Sequence, residues 1–207
     1  ADARRLLAAL GLPSGFTVLR SPDDDPAGVS WPVALKVLSP DLAHKTELGG
    51  VCLGIADAAA LRREAEAMRE RVARAAPDAR LTGFLVQPMA RGLGEAIIGF
   101  RRDPEVGPVV VLGTGGVLAE LFRDVSLRPA PVGLEEAREM VGEVKGLRAL
   151  AGWRGLPRGD LEAVARAVAC LSRLAARGDV AEAEVNPAII GPEGEGVTVV
   201  DAWVVRA

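Results

Sequence analysis

The 207-residue chain has no tyrosine, one histidine, two cysteines and three lysines. Aromatic residues make up only 3% of it, and its formal net charge at pH 7 is −3. An acidic chain poor in aromatic side chains has neither the basic surface nor the stacking platforms typical of nucleic-acid-binding proteins. No apolar run approaches the ~20 residues that a membrane-spanning helix needs. We therefore expect neither a nucleic-acid partner nor a membrane partner.

The cysteine content indicates a reducing compartment. Cys52 and Cys170 stand far apart in the sequence, each in an apolar stretch. This setting is more typical of buried free thiols than of a disulfide, and free thiols fit a reducing environment. The first residues also do not follow the pattern of a secretory signal. We therefore expect a cytoplasmic protein.

The apolar pattern predicts an α+β chain in two lobes, 1–87 and 88–207, divided at a glycine-rich link. Strands are predicted at 32–38, 51–55, 81–89, 95–102 and 108–113, then through 117–122 and 126–132, with a terminal strand pair. Helices are predicted at 2–10, after Asp57, at 134–144 and at 160–177. Asp57 and Asp160 are the predicted N-caps, and Gly178 is the predicted left-handed residue after the last helix.

The terminal strand pair predicts a cluster of oxygen ligands. If its strands flank the loop 191–196, the antiparallel register places Asn186 opposite Asp201, with Glu182 and Glu184 on the face of Asn186. Carboxylate and amide oxygens suit Mg²⁺, which takes a few protein oxygens together with phosphates and water. A solvated polar face is the other interpretation. It is the favoured one for Glu182, and it stays open for Asn186 and Asp201.

Lysine and histidine occur together in a chain that carries nearly all of its positive charge on arginine. Lys36, His44 and Lys45 fall within ten residues. Lys36 lies inside an apolar strand, where a charge is costly unless it meets an anion, although a strand can also present lysine to solvent. His44 lies in a connection ending in Gly49-Gly50, and glycines let backbone amides approach phosphate oxygens. By itself, a single loop histidine is more often structural than catalytic.

Other glycine patterns exclude two nucleotide-binding folds and leave one question open. The sequence has neither the P-loop pattern nor the Rossmann pattern. The glycines of GTGG, at 113–116, fit either a close approach of backbone to a nucleotide or partner domain, or a plain turn.

Four segments, taken in their order along the chain, resemble one family. They are PVALKVLSPDLAHKTELGGV, VQPMARGLGEAIIGFRRDPEVGPVVVLGTGGVLAEL, LRPAPV and AEVNPAII with the later VVDA. Together they resemble the ATP-grasp domain of the ADP-forming (nucleoside-diphosphate-forming) acyl-CoA synthetases and, more distantly, the β subunit of succinyl-CoA synthetase. The resemblance implies an α+β ATP-grasp fold, with the nucleotide between two lobes. The chain departs from the family at 20–31, where a short loop replaces a helix.

The resemblance also implies how the nucleotide, ATP or ADP, is bound. Lys36 is similar to the lysine that contacts the phosphates. Gln87, Pro88 and Met89 are similar to the hinge whose backbone meets the adenine edge. Glu95 is similar to the acidic residue near the ribose or phosphate side of the pocket.

The same resemblance implies a magnesium site and a phosphoryl relay. Asn186 and Asp201 match the Mg²⁺ ligands, with Glu184 as a third ligand or a supporting oxygen. His44 matches a loop histidine that carries a phosphoryl group between ADP and a partner. That partner is a CoA-binding ligase subunit or domain, which carries a second phosphohistidine and receives the acyl-CoA. The alternative is a nucleotide-sensing regulatory ATP-grasp module, of the kind fused to lysine acyltransferases.

Overall fold

The computed structural model describes residues 2–12, 15–42, 45–116 and 124–207. The chain forms two compact units, a smaller one of Gly15–Met89 and a larger one of Ala1–Ser14 with Ala90–Ala207. Each unit has an antiparallel sheet and at least one helix, which confirms the predicted α+β class. The division into lobes 1–87 and 88–207 stays a prediction.

Five α-helices and ten strands make up the regular structure of the described residues. The helices are α1 (Asp2–Ala9), α2 (Ala58–Ala75), α3 (Leu134–Glu143), α4 (Lys145–Arg148) and α5 (Leu161–Ser172). The first strands are β1 (Thr17–Leu19), β2 (Val33–Leu38), β3 (Val51–Ile55), β4 (Gly83–Pro88) and β5 (Gly94–Asp103). The others are β6 (Gly107–Thr114), β7 (Val125–Pro129), β8 (Val180–Ile190), β9 (Val197–Val199) and β10 (Ala202–Arg206).

The smaller unit is a four-stranded sheet in the order β1–β4–β2–β3, with α2 packed on it. Asp57 caps α2 as predicted, because its Oδ1 accepts a hydrogen bond of 2.8 Å from the Ala60 amide. The buried face of α2 is an apolar stripe whose members recur at helical spacing. It consists of Leu61, Ala65, Met68 and Val72.

The larger unit is a six-stranded sheet in the order β10–β8–β5–β6–β7, with β9 also paired to β8. One sheet face packs against α3 and α5 in a single core that includes Phe100, Leu112, Met140 and Leu171. On the other face, side chains such as Leu127 stay more than half exposed. The helices of the described residues in this unit therefore pack on one face only, and the second face, which they do not cover, is called the uncovered face below.

The predicted helix 160–177 begins as expected and ends differently. Asp160 is its N-cap, as predicted, but the α-helix ends at Ser172 and the chain continues as a 3₁₀ turn, Arg173–Ala176. Gly178 does not adopt the left-handed conformation, so that prediction was wrong. The cause is a side chain from β5: Arg102 donates hydrogen bonds to the carbonyls of Leu174, Ala175 and Arg177. These bonds satisfy the helix end without a glycine cap.

Three further predictions concern the cysteines, a strand and a membrane span. Cys52 and Cys170 are free, as expected, but half-buried rather than buried. The strand predicted at 117–122 lies outside the described residues. Of the helices in the described ranges, none is both long enough and apolar enough to cross a bilayer.

Candidate functional site

The terminal hairpin has the predicted register. Ile190 pairs with Val197 at its loop end, and Val185 pairs with Ala202 on the next strand. Between these pairs, the Asn186 amide donates a hydrogen bond of 3.0 Å to the Asp201 carbonyl. Asn186 and Asp201 therefore lie directly opposite one another.

Side chains that carry oxygen are neighbours at this point of the uncovered face. Asn186 is exposed, and its Nδ2 donates a hydrogen bond of 3.2 Å to Glu184 Oε1, which leaves the amide oxygen directed elsewhere. Asp201 Oδ1 accepts a 2.9 Å bond from the Ala202 amide. Within the described part of the chain, no group of three or more His, Cys, Asp or Glu side chains could hold a metal. Two carboxylates and one amide still fit Mg²⁺, which usually keeps waters and substrate phosphates in its shell.

A β-bulge directs Asn186 to the uncovered face. Ala96 pairs with Ala188 while Ile98 pairs with Val185, so Asn186 and its successor oppose the single residue Ile97. A bulge of this kind bends the strand and re-aims a side chain. It also lets Val185 and Ala188 both point into the core, although strict alternation would separate them.

Asp160 holds the hairpin loop in place, a role that the sequence did not reveal. Its side chain is 7% exposed. One carboxylate oxygen caps α5 through the Ala163 amide at 2.8 Å. The other oxygen accepts hydrogen bonds from the amides of Gly194 and Gly196, at 3.1 and 2.9 Å. One buried carboxylate thereby ties the start of α5 to the hairpin that carries Asn186 and Asp201.

Glu95 is exposed on β5, next to the glycine turn. Its carbonyl accepts a hydrogen bond of 2.9 Å from the Gly115 amide. A Cβ atom on Gly115 would lie 2.6 Å from Glu95 Cβ, so only glycine fits there. Similarly, a Cβ atom on Gly113 would come within 3.0 Å of Val125. Close packing against neighbouring strands thus accounts for both glycines.

In the smaller unit, Lys36 and Gln87 lie on the sheet face that points away from α2. Lys36 pairs with Leu85 on β4, and Gln87 is two residues further along that strand. Side chains in this diagonal relation are about 7–8 Å apart. Both are nearly buried, at 6% and 3% exposure. The structure therefore brings together the predicted phosphate-binding lysine and the first predicted hinge residue.

The other predicted hinge residues follow at the end of β4. Pro88 is the last residue of the strand and pairs with Val33. The Met89 amide donates a hydrogen bond of 2.9 Å to the Pro32 carbonyl. That amide is therefore engaged within the unit, and a hinge contact through Met89 would use its carbonyl. His44 lies outside the described residues.

The candidate residues form one group in each unit. Glu95, Glu184, Asn186 and Asp201 share the uncovered face of the larger sheet. Lys36 and Gln87 share one face of the smaller sheet. The face of the larger sheet offers hard oxygens, which suit Mg²⁺. The face of the smaller sheet offers a buried lysine, which suits an anion.

Comparison with known proteins identifies the fold family. A family model described as an ATP-grasp domain matches residues 1–205. The β subunit of ADP-forming acetate–CoA ligase II from Pyrococcus furiosus is 33% identical over 210 aligned residues, covering 99% of this chain and 89% of that subunit. ADP-forming acetate–CoA ligase I from Archaeoglobus fulgidus is 37% identical over 206 residues, covering 93% of this chain and 30% of that protein.

A solved structure agrees along the whole chain. Acetyl-coenzyme A synthetase 1 of Ca. Korarchaeum cryptofilum, in complex with coenzyme A and Ca-AMPCP, has a TM-score of 0.92 and 35% identity. The match covers 100% of this chain and 91% of that chain. A second structure of that synthetase contains Mg-AMPPCP, and its phosphohistidine segment points towards the nucleotide binding site. It matches with a TM-score of 0.84 and 32% identity, at the same coverage.

Proposed function

Since the chain belongs to the ATP-grasp family and has the ATP-grasp fold, we propose that it is the ATP-grasp subunit or domain of an ADP-forming acyl-CoA synthetase. In this role it transfers a phosphoryl group between His44 and ADP or ATP with Mg²⁺. The observation that carries the proposal is the cross-strand pairing of Asn186 with Asp201. It occurs in a chain that is similar over its whole length to the β subunit of a ligase. The relatives reported above are ligases and synthetases, so the regulatory alternative has no support.

The acidic face of the larger unit is the proposed metal site. Asn186 and Asp201 would hold Mg²⁺ by their side-chain oxygens, with Glu184 orienting the Asn186 amide or adding a ligand. Mg²⁺ supplies charge neutralisation on the nucleotide phosphates when it is bound. The hydrogen bond between Asn186 and Glu184 supports this assignment, because a partner for Nδ2 leaves the amide oxygen for a cation.

Lys36, the residues 87–89 and Glu95 are the proposed nucleotide contacts. Lys36 would donate to the phosphates, because an ammonium group that is 6% exposed is stabilised by an anion. Gln87, Pro88 and Met89 would meet the adenine edge through backbone groups, with the Met89 carbonyl as an acceptor. Glu95, exposed at the start of β5, would accept from the ribose hydroxyls or lie beside the phosphates.

The transfer itself is a nucleophilic substitution at phosphorus. In one direction, a neutral imidazole nitrogen of His44 forms a bond to the γ-phosphorus of ATP while the bond from that phosphorus to the ADP oxygen breaks. In the other direction, ADP attacks phosphohistidine, ATP forms, and the imidazole leaves. A histidine with an ordinary pKa of ~6.5 is largely neutral at pH 7, so its lone pair is available. Lys36 would stabilise the negative charge on the transferred oxygens.

The partner would be a CoA-binding ligase subunit or domain. We infer that it accepts the acyl-CoA and inorganic phosphate, whose oxygen replaces the thiol at the acyl carbon, so that an acyl phosphate forms and CoA leaves. A histidine of the partner then takes the phosphoryl group, which releases the carboxylate, and passes that group to His44. The similarity to separate β subunits of acetate–CoA ligases supports a partner of this kind.

The metal site is tested by Asp201→Ala. In this variant the affinity for ADP, measured by calorimetry with and without Mg²⁺, should no longer depend on Mg²⁺, because one of the two facing oxygen ligands is removed. Glu182→Ala is the matched control, since Glu182 is a carboxylate on β8, two residues before Glu184 and further from Asn186, and its removal should leave the dependence intact. Full Mg²⁺ dependence in Asp201→Ala would refute the assignment.

The phosphoryl carrier is tested by His44→Ala. This variant should bind Mg–ADP about as well as the parent, yet make no ATP when the partner ligase and acyl-CoA are supplied. In the same mixture the parent should acquire a phosphoryl group that is labile in acid and stable in base, as phosphohistidine is. ATP synthesis by His44→Ala at the parental rate would exclude the histidine as the carrier.

A further inference from the structure

We propose that Arg71 and Arg80 are positioning residues for the phosphoryl transfer, because they fasten the two ends of the connection that carries His44. The inference rests on the proposed function, in which His44 is the carrier. Its basis is the contacts of residues 39–42 and 45–50, which flank the histidine on both sides.

Arg80 fastens the incoming end of the connection through Asp41. Its Nε and Nη2 donate to the two carboxylate oxygens of Asp41 at 2.9 and 2.7 Å, and its backbone amide adds a third bond of 2.9 Å. These hydrogen bonds from Arg80, the side-chain ones first, lower the pKa of Asp41 to about 2. The carboxylate therefore stays ionised, and the contact stays intact, throughout the neutral range.

Arg71 fastens the outgoing end. Its Nε and Nη2 both donate to the Gly49 carbonyl, at 3.1 and 3.0 Å. Glu64 sits on the same helix and accepts a 2.7 Å bond from Nη2, which orients the guanidinium group. A Cβ atom on Gly49 would lie 2.7 Å from Arg71 Nε, so this approach requires glycine. The positive φ of Gly49, +66°, requires glycine as well.

The outgoing end is also closed on itself. The Gly50 amide donates to the Lys45 carbonyl at 2.7 Å, and the Gly49 amide donates to the Thr46 carbonyl at 3.1 Å. The Gly50 carbonyl in turn accepts from the Val37 amide at 2.8 Å, which joins the turn to β2. Residues 45–50 are therefore a compact turn fastened to both β2 and α2.

These two attachments limit the reach of the histidine. An extended chain spans at most about 3.3–3.6 Å per residue, so a backbone position three residues from a fixed Asp41 stays within about 11 Å of it. A longer excursion of His44 would require release of Asp41 from Arg80. Both attachments use a planar guanidinium group with two parallel donors, which an ammonium group cannot reproduce. The arginines thus set where the histidine can meet the nucleotide.

The test compares Arg71→Ala and Arg80→Ala with the parent in single-turnover transfer of the γ-phosphoryl group of ATP to the protein. Each variant should transfer about 10–100-fold more slowly, since small misplacements of a reacting group have effects of this size. The Kd for Mg–ADP should stay within about twofold of the parental value. Arg74→Ala is the matched control, because Arg74 also lies on α2, its side chain is 73% exposed, and its ion-pair partner is the exposed Glu70 at 3.8 Å. It should transfer at the parental rate.

Three further variants keep the test decisive. Gly49→Ala should reproduce the defect of Arg71→Ala from the other side of the contact. Arg71→Lys should recover only part of the rate, whereas the exchanged pair Asp41→Arg with Arg80→Asp should recover more than either single change.

Two outcomes would overturn the proposal. Transfer by Arg71→Ala and Arg80→Ala at the parental rate or faster would show that the attachments do not position the histidine. If Arg71→Ala and Arg80→Ala lost Mg–ADP affinity together with the transfer rate, and the exchanged pair did not restore the rate, the two attachments would be general structural contacts only. If the parent itself acquired no phosphoryl group on His44, the proposed function would fail, and this inference with it.

Discussion

Removal of the Asp160 carboxylate should destabilise the larger unit by more than the loss of a helix cap explains. The loss of the cap on α5 costs about 1 kcal/mol. The amides of Gly194 and Gly196 also lose their carboxylate acceptor. Because these donors are partly buried, each lost hydrogen bond should lower the free energy of unfolding by about 1.5 kcal/mol. Asp160→Ala should therefore lower the free energy of unfolding by about 4 kcal/mol.

Asp57→Ala is the matched control. Asp57 is also an N-cap, but it is exposed and accepts a single hydrogen bond, from the Ala60 amide. Its removal should cost about 1 kcal/mol. Urea unfolding followed by circular dichroism gives both values, and hydrogen exchange should show faster exchange of the Gly194 and Gly196 amides in Asp160→Ala alone. Equal destabilisation by the two substitutions, with unchanged exchange at both glycines, would refute the reasoning.

Three more predictions follow from single contacts. Lys36→Ala should weaken the binding of ATP much more than that of adenosine in calorimetry, because in the proposed site the ammonium group contacts the phosphates; equal losses of affinity would indicate unfolding instead. Gly115→Ala should lower stability by about 1–3 kcal/mol through overpacking, whereas Gly142→Ala, which has no atom within 4 Å of the new Cβ, should be neutral or stabilising. The Asp41 carboxyl should titrate near pH 2 by NMR, and Arg80→Ala should raise that pKa towards 3.8. Because the folded-state pKa is the lower one, the contribution of Asp41 to stability is present above about pH 4 and is lost as pH falls towards 2. An unchanged titration in Arg80→Ala would contradict the hydrogen-bond geometry.

Local sequence patterns were sufficient for most elements and for the register of one hairpin. The apolar face of α2 and its cap at Asp57 follow from helical periodicity and from one side-chain oxygen, both of which act within a few residues. The opposition of Asn186 and Asp201 follows from a short loop and the two-residue period of strands. The family resemblance added the proposed roles of Lys36 and Glu95, which local patterns alone do not assign.

Tertiary contacts decided what depends on residues distant in the chain. Arg102 lies about 70 residues before the helix end that it caps, so nothing near Gly178 could reveal that a glycine cap is unnecessary. The bulge at Asn186 becomes visible only when β8 is paired with β5. In the same way, the sequence predicts Asp160 only as a helix cap, and its hydrogen bonds to the hairpin loop become visible only in the folded chain. Sequence predicts the elements because helix hydrogen bonds close within four residues and the side chains of a strand alternate with a period of two. The positions of carboxylates and guanidinium groups, in contrast, depend on partners that only the folded chain brings within reach.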